Sequence, residues 1–164
     1  MNKAIFLDRD GVINNDEGHY YIYKIEDFKI NNGIIDSLKE LYKNNYLIII
    51  ISNQGGISKK IYTKNDVEII HKHLISVLKN EGIEISEIYY CPHHSDIEKC
   101  ICRKPDNLLL EKAISMFNID INNSFFIGDN ERDILTAKKT GLKSIKINSN
   151  EDISKYIKSI IKVS

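Results

Sequence analysis

Two aspartates separated by a single residue follow the first apolar segment of the chain, in the stretch FLDRDGVIN. In an extended segment, residues two apart point the same way, so Asp8 and Asp10 would face one site. Gly11 comes next and allows the chain to turn away sharply. An Asp-x-Asp-Gly sequence taken alone is as typical of a surface turn as of a functional site, so its meaning depends on what accompanies it.

A second pair of carboxylates stands in the stretch IGDNERD. Asp129 and Asp133 are four residues apart and would share one face of a helix that begins there. Acidic residues also cap helix N-termini, and that reading is open for this stretch taken alone. If both acidic motifs meet, three or four carboxylates lie close together and need a cation, and oxygen-only ligands favour Mg²⁺.

Other residues suit a phosphate group. Ser52 begins the stretch SNQGG, in which a hydroxyl and glycine-rich backbone amides could hold phosphate oxygens. Lys104 offers a positive charge, and Arg103 can make a bidentate contact with an anion. A metal, a hydroxyl, an ammonium group and a spare carboxylate are the components that phosphoryl transfer requires.

All three cysteines and two of the five histidines lie between residues 91 and 105. The pattern Cys-x-His…Cys-x-Cys predicts a closed tetrahedral structural zinc site, with Cys91, His93, Cys100 and Cys102 as ligands. The alternatives are free, partly buried thiols or a catalytic cysteine, and four ligands leave no open position for zinc-bound water. His94 is either a surface residue or a group that supports the site. His71 and His73 lie on a predicted helix and are expected to be solvated.

These residues need a scaffold, and short apolar runs alternate with amphipathic stretches along the chain. We predict strands at 3–8, 46–52, 87–91, 124–128 and 142–147, and helices near 34–44, 64–80, 107–117, 130–140 and 152–161. This alternation predicts an α/β fold, a Rossmann-like parallel sheet with helices on both faces. In such sheets ligands gather at the carboxyl ends of the strands, where most of the polar residues above are found.

Length and charge set further limits. The 164 residues suit one domain, 1–164, with a zinc-binding loop at 91–105. Lysine plus arginine equals aspartate plus glutamate at 23 each, which favours neither nucleic acid nor an anionic membrane as partner. No apolar run approaches the roughly 20 residues of a membrane helix, and the N-terminus does not look like a signal peptide. We expect a cytoplasmic monomer.

The order Asp-x-Asp-Gly-Val, Ser-Asn-Gln, Arg-Lys-Pro and Gly-Asp-(x)3-Asp resembles the haloacid dehalogenase superfamily of phosphohydrolases, over nearly the whole chain. Within it, DRDGVIN, SNQGGI and CPHH…CICRKP are similar to the D-glycero-D-manno-heptose 1,7-bisphosphate 7-phosphatases, whose near relatives are histidinol-phosphate phosphatases. The spacing from Asn14 to Ser52 and from Ser52 to Lys104 leaves no room for a cap domain. Loops 14–24 and 55–63 and the zinc loop would then wall the site.

The resemblance implies a role for each site residue. Asp8 would be the nucleophile that forms an aspartyl-phosphate, and Asp10 the general acid and then base. Asp8, the backbone carbonyl of Asp10, and Asp129 would hold Mg²⁺, while Asp133 would orient Lys104 or a metal-bound water. Ser52 and Lys104 would bind the transferring phosphoryl group. The positions that would contact the substrate are Asp16, Glu17, Gly18, His19, Asn53, Gln54, Gly55, Arg103 and Asn130.

Three positions depart from the family's pattern. Ser52 stands where threonine is usual and keeps the hydroxyl, whereas Gly55 replaces a serine and Asn130 replaces a frequent lysine. The resemblance therefore implies a Mg²⁺-dependent phosphatase for a small phosphorylated sugar, used in making surface polysaccharide heptose, with histidinol phosphate as the alternative substrate. A DNA 3′-phosphatase is disfavoured by the zero net charge. A non-catalytic zinc-stabilised binding module is disfavoured because Asp8, Asp10, Lys104 and Asp129 are all present.

Overall fold

Five parallel strands form one sheet in a computed structural model that describes residues 1–163. The strands are Lys3–Leu7 (β1), Tyr46–Asn53 (β2), Ile85–Cys91 (β3), Phe125–Gly128 (β4) and Lys143–Lys146 (β5). Their order across the sheet is β3-β2-β1-β4-β5. All five predicted strands are confirmed, and their ends differ from the predicted ones by at most two residues.

The five predicted helices are also present. They are Ile34–Lys43 (α1), Lys64–Asn80 (α2), Leu108–Met116 (α3), Glu131–Thr140 (α4) and Ser154–Val163 (α5), and short 3-10 turns occur at Ile25–Asp27 and Ile121–Asn123. Between β1 and β2 the described chain forms only a loop, one 3-10 turn and α1, so no cap domain covers the sheet edge. Within residues 1–163, no helix has both the length and the apolar character needed to cross a membrane.

Strands β1 and β2, in the interior of the sheet, are apolar at consecutive positions because both of their faces are buried. Ile5 and Leu7 of β1 point into a core that helices α1, α2 and α5 complete, while Ala4 and Phe6 point into a second core on the opposite face, with α3 and α4. The predicted architecture, a parallel sheet covered by helices on both faces, is confirmed.

The order of the strands also positions the site. From β1 the chain moves outward on one side to β2 and β3, and then returns to the other side of β1 to form β4 and β5. The carboxyl ends of β1 and β4 therefore lie beside the point where the winding reverses, which is where ligands bind in open α/β sheets. Asp8 follows β1 and Asp129 follows β4 directly.

Candidate active site

A tight turn carries Asp8 and Asp10 away from the end of β1. The backbone N–H of Asp8 still bonds to the Ile127 carbonyl of β4 at 3.1 Å, and Gly11 then turns the chain with φ of 77°. A Cβ atom at Gly11 would lie 2.5 Å from Oδ2 of Asp129 and 2.5 Å from Oγ of Ser149. Glycine is required here both for its backbone angle and because the Asp129 carboxylate packs directly against it.

Lys104 is a buried cation that joins the two acidic motifs. Its Nζ lies 3.0 Å from Oδ1 of Asp8, 2.7 Å from Oδ1 of Asp133 and 2.8 Å from the Ile51 carbonyl oxygen. Burial alone would lower the pKa of Lys104, but the carboxylates of Asp133 and Asp8 outweigh it and hold the pKa above its ordinary value. Burial raises the pKa of Asp8 to about 7, with the Asp133 and Asp10 charges adding to the effect and Lys104 opposing it.

The carboxylates form a set that fits a divalent cation. One oxygen each of Asp8, Asp129 and Asp133 lies within 4.8 Å of the others. Asp133 is committed elsewhere, since Oδ1 pairs with Lys104 and Oδ2 accepts from the Asn130 backbone N–H at 3.1 Å. Burial, followed by the charge of Asp133, raises the pKa of Asp129. Oxygen donors that repel one another in this way suit Mg²⁺, with Asp8 and Asp129 as the available side chains.

The Asp10 carboxylate is surrounded by N–H donors. Oδ1 accepts from Nε and Nη2 of Arg9 at 3.1 and 2.9 Å and from Nδ2 of Asn14 at 3.0 Å. Oδ2 accepts from Nη2 of Arg9 and Nε2 of Gln54, each at 3.0 Å. Arg9 has no exposed surface and was not identified from the sequence, where its only signal is a cation between two aspartates at a strand end.

His71 lies behind Arg9, and the prediction that it is solvated is wrong. Its side chain is 4% exposed because it shares the buried face of α2 with Val67, Ile70 and Leu74. Nε2 of His71 is 3.4 Å from Nη1 of Arg9. Burial, together with the Arg9 charge, lowers the pKa of His71 to about 3, so the ring is neutral. His73, on the same helix, is partly exposed, and its ring is nearly perpendicular to that of Phe28 at a centroid distance of 5.8 Å.

We expect this neutral histidine to make the fold sensitive to acid. The unfolded chain takes up a proton below the ordinary histidine pKa of about 6.5, whereas the folded chain resists until about pH 3. The contribution of neutral His71 to the free energy of unfolding is therefore complete above pH 6.5 and is lost progressively as the pH falls. Relative to His71→Gln, the free energy of unfolding of the unsubstituted protein should fall by about 1.6 kcal/mol in total between pH 6.5 and 5, and the slope should approach about 1.4 kcal/mol per pH unit at the lower end. Urea denaturation at several pH values measures it, and a difference independent of pH would contradict it.

Residues at the carboxyl end of β2 and directly after it connect the loop that carries Lys104 to the turn that carries Asp8 and Asp10. The amide of Asn53 clamps the Lys104 backbone, since Nδ2 donates to the Lys104 carbonyl at 3.1 Å and Oδ1 accepts from its N–H at 3.0 Å. Oγ of Ser52 is buried 2.8 Å from Nε2 of Gln54. A Cβ at Gly55 would lie 2.9 Å from both Nη1 of Arg103 and Cδ2 of His94. The serine that Gly55 replaces would therefore displace Arg103 or His94.

The Cys-x-His…Cys-x-Cys residues come together at the end of β3. Sγ of Cys102 is 3.1 Å from Sγ of Cys91 and 3.2 Å from Nδ1 of His93, and Sγ of Cys91 is 3.7 Å from Sγ of Cys100. A tetrahedron of thiolates around zinc has edges of about 3.8 Å, so the four ligand atoms fit one Zn²⁺. His94 lies outside this set and is buried, with Nδ1 accepting from the Asp96 backbone N–H at 3.2 Å.

An open cleft of about 260 Å³ lies over the carboxylates that follow β1 and β4. Its lining includes Asp8, Asp10 and Asp129 and six of the predicted substrate positions, namely Asp16, His19, Asn53, Gly55, Arg103 and Asn130. The predicted positions Glu17 and Gly18 are exposed outside it, and Gln54 lies beneath Asp10. The side chain of Asn130 also forms a capping box with Asp133 at the start of α4, so the helix-capping interpretation of that stretch is confirmed.

One cleft residue that the sequence analysis missed is Arg132 of α4. Within residues 1–163 it forms no ion pair, and its Nε is buried without a hydrogen-bond partner. Arg132 and Arg103 line both the cleft and a neighbouring groove of about 440 Å³. Arg103 is held by a 2.9 Å bond from Nη1 to the His93 carbonyl of the cysteine loop. The cleft thus combines a carboxylate cluster with two guanidinium groups.

Comparisons with known proteins show the family to which the chain belongs. Residues 3–157 match the family model described as Polynucleotide kinase 3 phosphatase. The D-glycero-beta-D-manno-heptose-1,7-bisphosphate 7-phosphatase of Pasteurella multocida is 37% identical over 149 residues, 88% of this chain and 80% of that protein. The D-glycero-alpha-D-manno-heptose-1,7-bisphosphate 7-phosphatase of Campylobacter jejuni is 43% identical over 132 residues, 80% of this chain and 74% of that protein.

A solved structure shares the fold. The D,D-heptose 1,7-bisphosphate phosphatase from B. bronchiseptica, complexed with magnesium and phosphate, superposes with a TM-score of 0.82 at 21% identity and covers 99% of both chains.

Proposed function

Because the chain belongs to the family of the heptose-1,7-bisphosphate 7-phosphatases, we propose that it removes the 7-phosphate of D-glycero-D-manno-heptose 1,7-bisphosphate. The family is part of the haloacid dehalogenase superfamily of phosphatases, and the chain is a phosphoric monoester hydrolase. The observation that carries the proposal is the identity of 37% and 43%, over most of the chain, to two phosphatases named for that substrate. The product would be used in making activated heptose for surface polysaccharide.

The proposed reaction has two steps at phosphorus. In the first, a carboxylate oxygen of Asp8 bonds to the phosphorus, the bond to the sugar oxygen breaks, and Asp10 gives that oxygen a proton. In the second, a water bonds to the phosphorus, its proton passes to Asp10, and the bond to Asp8 breaks to release inorganic phosphate. Asp8 is 5% exposed at the cleft floor, and Asp10 lies beside it in the cleft lining, as this sequence of steps requires.

Positive charge for the transferring phosphoryl group would come from two sources. The first is Lys104, whose Nζ is held against Asp8 and Asp133. The Ser52 hydroxyl, at the carboxyl end of β2, would add an uncharged hydrogen-bond donor, and the second source of charge would be a metal ion. Mg²⁺ bound by Asp8, the Asp10 carbonyl and Asp129 would neutralise charge on the phosphoryl oxygens. Within the chain itself, Asp133 keeps Lys104 protonated and fixed, because the two groups form a buried ion pair.

The remaining end of the substrate would be bound by the arginines of the cleft. Arg103, held by the His93 carbonyl, and Arg132, which has no carboxylate partner within residues 1–163, offer two planar guanidinium groups for the phosphate that stays on the sugar. Arg132 would supply the charge that Asn130 lacks. We propose that Zn²⁺ at Cys91, His93, Cys100 and Cys102 has a structural role and fixes the loop that carries Arg103 and Lys104.

A substrate panel tests the proposal. Phosphate release would be measured with both anomers of the heptose 1,7-bisphosphate, histidinol phosphate and a 3′-phosphorylated DNA oligonucleotide, and phosphorus NMR would identify the phosphate removed. We expect kcat/KM for one heptose anomer to exceed that for histidinol phosphate by at least about tenfold, since a second phosphate can bind the arginines. Loss of the primary phosphate with retention of the anomeric one is the expected product. Release from histidinol phosphate or DNA but from neither anomer would refute the assignment.

A further inference from the structure

The side-chain amide of Gln54 connects three groups beneath the cleft. Its Nε2 donates to Oδ2 of Asp10 at 3.0 Å and to Oγ of Ser52 at 2.8 Å. Its Oε1 accepts from the hydroxyl of Tyr62 at 2.8 Å. Gln54 is 1% exposed and Tyr62 5% exposed, so water has little access to this network.

The contact with ionised Asp10 requires one orientation of the amide. A carboxylate oxygen only accepts hydrogen bonds when it is ionised, so the nitrogen of Gln54 must face Asp10. The reversed amide would place Oε1 of Gln54 against Oδ2 of Asp10, two acceptors in contact. The Tyr62 hydroxyl favours the observed orientation from the other side, because it donates to Oε1. Without that donor, Oε1 would be a buried acceptor with no partner.

Packing fixes the Tyr62 ring itself. Gly56 lies so close to the ring that any Cβ there would overlap the ring atom Cε1 of Tyr62. On other sides Tyr23 stacks at a centroid distance of 5.1 Å and Tyr21 makes an edge contact at 5.5 Å. Burial raises the pKa of Tyr62 well above its ordinary value, so the hydroxyl remains a donor. The second glycine of the SNQGG stretch is therefore explained by space for this ring.

The two oxygens of Asp10 are not equivalent in this arrangement. Oδ1 accepts three N–H donors from Arg9 and Asn14, whereas Oδ2 accepts one from Arg9 and one from Gln54. A carboxyl oxygen has two lone pairs, so the three donors on Oδ1 already exceed them, whereas on Oδ2 a proton needs only one of two donors to move aside. We therefore place the proton of the acid form on Oδ2. The Gln54 amide thus contacts the oxygen from which the proton would leave.

We propose that Tyr62 is a positioning residue for the phosphatase reaction, which fixes the Gln54 amide and through it the proton-carrying oxygen of Asp10. The inference rests on the proposed role of Asp10 as general acid, but not on heptose as the substrate. Tyr62 lies outside the cleft lining and its hydroxyl donates to Gln54, so removal of that hydroxyl alone acts on the reaction through Gln54.

The test compares leaving groups. An alkyl phosphate needs a proton on its departing oxygen, whereas p-nitrophenyl phosphate does not. In Tyr62→Phe, which removes one hydroxyl, kcat/KM should fall about tenfold for the heptose bisphosphate and no more than about threefold for p-nitrophenyl phosphate. Tyr23→Phe, which removes a hydroxyl from the ring stacked on Tyr62, is the matched control and should lower neither value. An equal loss on both substrates, or no loss on the alkyl phosphate, would overturn the proposal.

A double substitution tests the route. In a Gln54→Ala background, Tyr62→Phe should cause no further loss on the alkyl phosphate, because the amide through which it acts is gone. Full additivity of the two losses would show that Tyr62 acts by another path. If the enzyme hydrolyses histidinol phosphate but not the heptose bisphosphate, the proposed substrate fails and the same comparison with histidinol phosphate still decides the role of Tyr62. Hydrolysis of aryl but no alkyl phosphates would refute both proposals.

Discussion

Replacing Asp8 by asparagine should abolish phosphate release, with kcat lowered by at least about 10⁴-fold. The amide of asparagine has nearly the same shape as the carboxyl group but cannot form the acyl-phosphate bond. Lys104 keeps its 2.7 Å ion pair with Asp133, so the cation beneath the cleft retains a partner. Burial holds the pKa of Asp8 at about 7, well above its ordinary value, so a neutral side chain at this position should not weaken the fold. Steady-state phosphate release and thermal unfolding measure the two effects separately.

A matched control for this substitution is Asp36→Asn, which neutralises an exposed aspartate of α1. It should leave kcat within about twofold of that of the unsubstituted protein, since surface changes of this kind have small effects. If Asp8→Asn retained a tenth or more of the activity while folded, the phosphoryl group would have to pass directly to water, and the proposed two-step reaction would be wrong.

Removing the proposed zinc ion should have the second largest effect. Arg103 and Lys104 both belong to the zinc-binding loop, residues 91–105, and Arg103 is hydrogen-bonded to the His93 carbonyl of the same loop. Unfolding of this loop would therefore displace both cations. We expect chelation of zinc, with Mg²⁺ kept saturating, to lower kcat at least about tenfold and to destabilise the protein by several kcal/mol. Lys104 retains the Asn53 clamp and its carboxylate partners, and for that reason residual activity is expected.

The measurements for this prediction are metal content, activity and thermal unfolding before and after chelation, with zinc added back. Cys102→Ser should reproduce the loss, because one of the four ligands is gone. Ser95→Ala, an exposed position in the same loop, should not. Full activity in a protein shown to contain no zinc would contradict a structural role for the metal in positioning Arg103 and Lys104.

The fold follows from the sequence because its strongest patterns are local. The central strands contain continuous apolar runs, such as residues 46–51 of β2, and the helices are amphipathic over at least nine residues, so element type and order could be predicted. The strand ends follow with them, and this brings Asp8 and Asp129 together. The cluster of Cys91, His93, Cys100 and Cys102 was predictable for a related reason, since these four residues of metal-ligand chemistry lie within a dozen positions.

Residues whose role depends on distant partners could not be predicted. In the sequence, Arg9 cannot be distinguished from an exposed charged residue of a turn. Only the fold shows that it is buried against Asp10 and His71. His71 follows the apolar spacing of α2, at i+4 from Val67, but a histidine at such a position has no local mark of burial. Tyr62 contacts Gln54 through a loop conformation that depends on Gly56, and no periodic pattern encodes it.

The central claim is that the phosphoryl group is carried by Asp8, and trapping the intermediate tests it most directly. The protein would be quenched during turnover and treated with borohydride, which reduces an aspartyl-phosphate to homoserine, and its peptides would be analysed by mass spectrometry. We predict homoserine at position 8, in an amount that follows the substrate concentration, and none in protein treated without substrate. Homoserine at position 10 or 129 instead, or full turnover with Asp8 unmodified at every quench time, would contradict the account.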